Sequence, residues 1–461
     1  MRGLLVGASG AACCGVLLAT RLALAQPQES RAADVDDFEL MASSETYAAL
    51  FRRALLPGPS GSLVESTTAA PVYEYVSLRA ERLDVGTLKD ALSMEVAAWG
   101  RAWPTTRELE RPFDGDVQTA FATLSYGPGY ARLGRQHVVG GAARFSRFDG
   151  ALVAARFGGG FEATGYGGFT VLPRWSERVG YHHLGSEADV LLRDPEALED
   201  PERAGEWLAG ARFGYRSSSF GGAVSFHEQR EQGELARRSL GLDAQGRHSW
   251  AALNLNAVLD ADSGRFSDAR LWADLLPRES LSLSLELLHT EPALWLSRQS
   301  VLSVFSSSRF EEAGGSATWR LSDALRLEGA SYLTVYDRGG PGSRSEGSVR
   351  FSPDRRTVLR AGFARVLAAK NGYFSLRLSL SRRLLRATSG TLEAYNYFYD
   401  RAVQSYRTSS VYAATVSHSF SAPISLLVGG SLSRTPYASL DAQTLVRLSI
   451  AYDRSAEGGS Q

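Results

Sequence analysis

A hydrolytic or metal-dependent enzyme needs a nucleophile, a base or a ligand set at fixed spacing. The seven histidines (His137, His182, His183, His227, His248, His289 and His418) are scattered along 461 residues. His248-Ser249 and His418-Ser419 are immediate neighbours. Adjacent side chains on a strand point to opposite faces, so neither is a catalytic pair. His182-His183 with Glu187 and Asp189 has metal-ligand chemistry, but no further ligand spacing supports it and these read as solvated loop residues. Both cysteines, Cys13 and Cys14, sit in the leader described below, which excludes disulfides and Cys-based sites from the mature chain. No enzyme, cofactor or metal centre is expected.

Arginine chemistry is the richer signal. Arg132-Leu133-Gly134-Arg135-Gln136 is followed by Arg144-Phe145, Arg147 and Phe148-Asp149-Gly150. A guanidinium fork binds carboxylates and phosphates in two-point geometry. These arginines either guide acidic solutes or pair with neighbours such as Asp149 and fix strand register. Formal net charge is +0, from 50 basic and 50 acidic residues, so nothing argues for nucleic acid. Only Lys89 and Lys370 are lysines, an arginine bias that a GC-rich genome also produces.

The elements that must position these residues begin with an export signal. Arg2, an apolar small-residue stretch from Gly3 to Ala19 and Ala23-Leu24-Ala25 predict a signal peptide over 1–25. Residues 26–70 are polar and mixed, and read as a short periplasmic segment. Within it Glu45–Leu56 has the pattern of an amphipathic helix stopped by Pro57-Gly58-Pro59.

From about residue 71 the period becomes two. Val72, Val76, Leu78 and Ala80 alternate with Tyr73, Tyr75, Ser77, Arg79 and Glu81. Leu281, Leu283, Leu285 and Leu287 face away from Ser282, Ser284 and Glu286, as do Leu376, Leu378 and Leu380 from Ser375, Arg377, Ser379 and Ser381. Each run has one greasy and one wet side. Many approach the ~9–11 residues that a tilted strand needs to cross a bilayer. Short turns such as Gly127-Pro128-Gly129, Arg230–Gly233, Ser352–Arg355 and Ser421–Pro423 alternate with longer connections at 104–116, 173–204 and 291–307. The sequence therefore predicts an all-β, transmembrane, antiparallel up-and-down β-barrel over 71–453 in a bacterial outer membrane, with a tail over 454–461. At ~20–22 residues per strand and connection, about 18 strands are expected, enough to enclose an aqueous channel. The closing strand, Thr444 to Tyr452, resembles the C-terminal signal read by barrel-assembly machinery.

The alternation assigns Arg79, Glu81, Glu95, Arg212, Glu286, Arg326, Glu328, Arg377 and Arg447 to the wet side. With Arg132, Arg135, Arg144, Arg147 and Asp149, the residues Arg212, Arg326, Arg377 and Arg447 form the expected solute path. Tyr395, Tyr397, Phe398 and Tyr399, and Trp99, Trp103, Trp175 and Trp207, lie near strand ends and read as the interfacial girdle; a sugar-stacking surface is the alternative.

The Arg132–Gly150 run resembles the alginate-export and related porin families, in which such a strand–turn–strand carries luminal arginines. The overall layout is similar to barrels of split polysaccharide exporters. The resemblance implies an outer-membrane channel that passes a hydrophilic polymer, an exported polysaccharide, with a periplasmic export protein as partner and membrane lipid and lipopolysaccharide around the wall. The alternatives are a general or sugar-preferring diffusion porin for small hydrophilic solutes, and a structural or adhesive surface barrel.

Overall fold

The structure, a computed structural model, describes residues 39–54, 66–83, 91–102, 113–171, 206–231, 233–295, 309–368, 371–403, 405–436 and 438–453. The leader with Cys13 and Cys14, the His182-His183 group, the tail 454–461 and most of the 291–307 connection lie outside these residues.

Residues of period two become long antiparallel strands. They are β1 (Glu39–Ala54), β2 (Ser66–Ala69), β3 (Val72–Leu83), β4 (Leu92–Ala102), β5 (Phe113–Tyr126), β6 (Gly129–Gly140), β7 (Arg144–Phe157) and β8 (Phe161–Thr170). After these come β9 (Trp207–Arg216), β10 (Phe220–Glu231), β11 (Glu234–His248), β12 (Ala251–Asp260), β13 (Arg265–Arg278) and β14 (Leu281–Thr290). The last nine are β15 (Phe310–Arg320), β16 (Leu325–Tyr336), β17 (Gly340–Asp354), β18 (Thr357–Leu367), β19 (Tyr373–Arg383), β20 (Thr388–Val403), β21 (Tyr406–Ser421), β22 (Ile424–Thr435) and β23 (Ala438–Asp453). Each long strand pairs with its neighbour in the chain, and β1 pairs with both β23 and β3, so the sheet closes into a barrel. The short β2 lies on the end of β1 just ahead of β3, and the wall has 22 strands.

Two expectations are corrected here. The count is 22, not about 18, because several turns need only two residues, such as Arg355-Arg356 and Ala422-Pro423. The wall also starts at Glu39, not at 71, and the helix expected over 45–56 is strand β1. Thr46 is paired with Leu448 on one side and Glu74 on the other. Alanines and leucines serve both periods in that stretch, and two neighbouring strands decide the outcome.

Register defines the two faces. Leu285 lies opposite Ala273 and Gly315, and Leu378 opposite Ala361 and Ala394. The apolar side chains on this face, such as Leu285, Leu378, Leu392 and Leu432, are each more than half exposed. In a closed barrel that face meets lipid, and the other lines the lumen. Long separations between strands, 103–112, 171–206 and 291–309, fall at one end of the barrel, and the other end has only short connections. Long loops mark the outer side of such barrels and short turns the periplasmic side.

Candidate functional site

One hairpin departs from the wall. Strand β6 leaves β5 after Arg135, whose partner is Ala120, and β7 joins β8 only from Phe148 onwards, opposite Thr170. Beyond those points β6 and β7 run on as a hairpin, paired from His137–Arg147 to Gly140–Arg144, with the Val171 N–H donating to the Arg147 carbonyl at its base. The departure needs an unusual backbone. Gly134 has φ +124, and a Cβ there would meet the Ala120 carbonyl oxygen at 2.3 Å, so only glycine fits.

The hairpin turns inward, because its tip rests on the luminal faces of β10 to β13. The Ala142 N–H donates to Ser225 Oγ at 2.8 Å. Arg237 Nη2 donates to the Ala143 carbonyl and to Ser146 Oγ, both at 3.1 Å. Arg144 Nη2 donates to Ser267 Oγ at 2.9 Å, and its guanidinium lies 4.8 Å from the centre of the Trp295 ring. Trp295 in turn donates to the Ser267 carbonyl at 2.9 Å. Between hairpin and wall Gln136, Phe148, Leu208 and His227 are fully buried, and Tyr166 Oη meets His227 Nδ1 at 3.1 Å. The buried Ala, Val, Leu, Phe and Trp side chains of the described residues all fall between Trp99 and Val258. A barrel wall has no core of its own; this one has a core where the hairpin covers it.

Magnitudes decide how much of the lumen that arm occupies. At ~4.8 Å between strands and a tilt near 40°, a 22-stranded wall is about 40 Å across its backbone. The extended arm from Arg135 to Gly140 reaches roughly 20 Å. It cannot cross the lumen, and lies along the β8–β13 sector.

The expected arginines divide into groups. At the hairpin root Arg135 donates from Nε and Nη2 to Asp149 at 2.8 and 2.9 Å, and lies 3.5 Å from Asp116. Arg147 reaches Asp116 at 2.6 Å, both almost entirely buried. Arg132 packs over the Phe121 ring at 4.2 Å. Arg135, Arg147 and Asp149 are thus committed to an ion-pair network that holds the root, and Arg144 to seating the tip. Arg326, Arg377 and Arg447 stand apart on the polar face, whereas Arg212 lies beside the tip, opposite Ser225 and near Gly141. Arg212 pairs with Asp243 at 2.5 Å, and Arg377 with Glu393 at 2.9 Å. Arg447 lies 5.9 Å from the Tyr47 ring centre.

Aromatic placement corrects the girdle reading. Tyr395, Tyr397 and Tyr399 are opposite Arg377, Ser375 and Tyr373 on the luminal face, and only Phe398 points outward. Arg377 lies 4.8 Å from the Tyr395 ring centre and Tyr373 packs edge-on against Tyr397 at 5.7 Å. Trp99 is buried on the luminal side against Tyr75, whereas Trp207 is on the outward face. Trp103 and Trp175 lie outside the described residues. Sequence reasoning missed the tip's cradle of Ser225, Arg237, Gly241, Ser267 and Trp295. The available signal was Gly140-Gly141-Ala142-Ala143, a tip small enough for close approach to a wall.

His248 meets Ser249 at 3.3 Å, and His418 meets Thr388 Oγ1 at 2.8 Å. Among the described residues no group of three or more His, Cys, Asp or Glu could hold a metal ion.

No family model and no curated protein matches the chain, so the resemblance to alginate-export barrels finds no support. Solved structures do match. The siderophore receptor PirA from Pseudomonas aeruginosa aligns with TM-score 0.53 and 10% identity, over 92% of this chain and 81% of that one. The translocation pore of the P pilus usher PapC gives 0.47 and 8%, over 89% and 99%. OccAB4 from Acinetobacter baumannii gives 0.41 and 7%, over 91% and 98%. Such identities speak for the fold alone. A closed antiparallel barrel with an exposed apolar face belongs in the bacterial outer membrane, and the chain is an outer-membrane β-barrel.

Proposed function

We propose that this protein is a passive outer-membrane channel for small hydrophilic solutes, sugars among them. The observation that carries the reading is the luminal wall away from the hairpin. It is polar, half-exposed and laced with cross-strand pairs such as Arg360–Glu328 and Arg377–Glu393. Such pairs hold charge in place without a strong net field, which suits solutes of weak or no charge. The arm of the hairpin is half as long as the barrel is wide, so it narrows one sector and leaves a route beside it. The tyrosines on β19 and β20 offer flat faces to sugar rings. Polymer export with a periplasmic partner draws no support from the comparisons. Liposome swelling tests the proposal: vesicles carrying the protein swell in monosaccharide and ever more slowly in longer oligosaccharides. Swelling no faster than in protein-free vesicles for every sugar would refute it.

A further inference from the structure

One row of the wall breaks the pattern of paired charges. In the antiparallel registers Arg320 lies opposite Arg326, Arg326 opposite Arg350, and Arg350 opposite Arg360. Four arginines on four consecutive strands, β15 to β18, thus form one transverse line on the luminal face near the short-turn end. Directly opposed like charges destabilise a sheet, so strand pairing gains nothing from this arrangement. The nearby carboxylate, Glu328, is taken by Arg360 and by Ser348 Oγ, which donates to it at 3.0 Å. Among the described residues Arg326 and Arg350 have no ion-pair partner, and Arg320 reaches only the Glu279 carbonyl, at 3.5 Å. A general preference for Arg over Lys accounts for the residue type, but not for four in one row.

We infer that this row is a binding site for multivalent oxyanions within the lumen. Adjacent strands are ~4.8 Å apart, so the four guanidinium groups extend over about 14 Å. That length suits an anion carrying several phosphate or carboxylate groups, each met by a fork that donates two hydrogen bonds. The site rests on the channel reading for its role, as the step that draws acidic solutes through, but binding itself does not require conduction.

The test uses the full chain refolded in detergent, with inorganic pyrophosphate and citrate as probes in calorimetric titrations. The expected result is saturable binding that weakens as salt rises, and that falls at least tenfold in the Arg326→Gln/Arg350→Gln double variant. The matching lysine variant retains part of it. Binding of pyrophosphate without citrate assigns the row to phosphates, and the reverse to carboxylates. No saturable binding of either probe by a folded barrel, or binding unchanged in the double variant, overturns the inference. In planar bilayers the same variant shifts the reversal potential in a KCl gradient away from chloride. A conducting protein that binds neither probe refutes the site and leaves the channel standing; a protein that binds both probes but does not conduct does the opposite.

Discussion

Arg135 grips Asp149 through two parallel hydrogen bonds, at 2.8 and 2.9 Å, at the point where β6 and β7 leave the barrel wall. Asp116 ties this pair to Arg147, so the hinge of the in-folded hairpin is an ion-pair network and not an apolar contact.

Burial ranks the members of that network. Arg147 and Asp116 are 4% and 9% exposed, and Arg135 and Asp149 are 22% and 36%. Breaking a buried pair costs about 3–5 kcal/mol, and a screened surface pair about 1 kcal/mol or less. Asp116→Asn should therefore lower the denaturant midpoint of the refolded barrel clearly more than Asp149→Asn. Equal effects, or the reverse order, would place the anchor of the hinge elsewhere.

Seating of the tip is a matter of space. A Cβ on Gly241 would come within 2.4 Å of the Ala142 nitrogen, whereas one on Gly246, in the same strand, meets nothing within 4 Å. Gly241→Val should lift the tip off its cradle and make the Gly140–Ala143 turn cleavable by protease. Gly246→Val should stay as resistant as the natural chain.

The two faces of β19 give a one-residue test of the wall. Leu378, midway along the strand, is 58% exposed toward lipid, and Ser379 is on the luminal face opposite Glu393. Arg at the bilayer midplane costs roughly 2–4 kcal/mol on the lipid side. Leu378→Arg should sharply reduce folding yield into liposomes, while Ser379→Arg, which meets Glu393 on one side and Arg360 on the other, should reduce it far less. Similar yields would contradict the assignment of faces.

For the luminal tyrosines, stacking on an aromatic ring is the relevant chemistry. Tyr397→Ala removes the partner of Tyr373 and should weaken the block of ion current by an added oligosaccharide severalfold, with stability little changed. An unaltered block would confine these rings to a structural role.

Much of the wall was legible from the residues. Leu281 to Leu287 and Leu376 to Leu380 alternate so cleanly that their outward face follows from period alone. What local pattern could not supply was partnership between distant strands. Glu45–Leu56 satisfies both helical and strand spacing, and only its pairing with β23 and β3 selects the strand. The Arg132–Gly150 run announced itself, but not its inward fold: that depends on Ser225, Arg237 and Ser267, some 80 to 120 positions away. The arginine row was invisible for the same reason, since Arg320, Arg326, Arg350 and Arg360 become neighbours only through register. Tyr395, Tyr397 and Tyr399 were misplaced because nearness to a strand end suggests a girdle whichever face the ring takes.

The central claim is conduction, and single-channel recording of the full chain in a planar bilayer tests it most directly. Insertion should produce discrete, ohmic conductance steps, and Gly241→Val should give noisier and altered steps as the hairpin loses its seat. A correctly folded barrel that inserts and passes no current, in both the natural and the Gly241→Val forms, would contradict the channel reading.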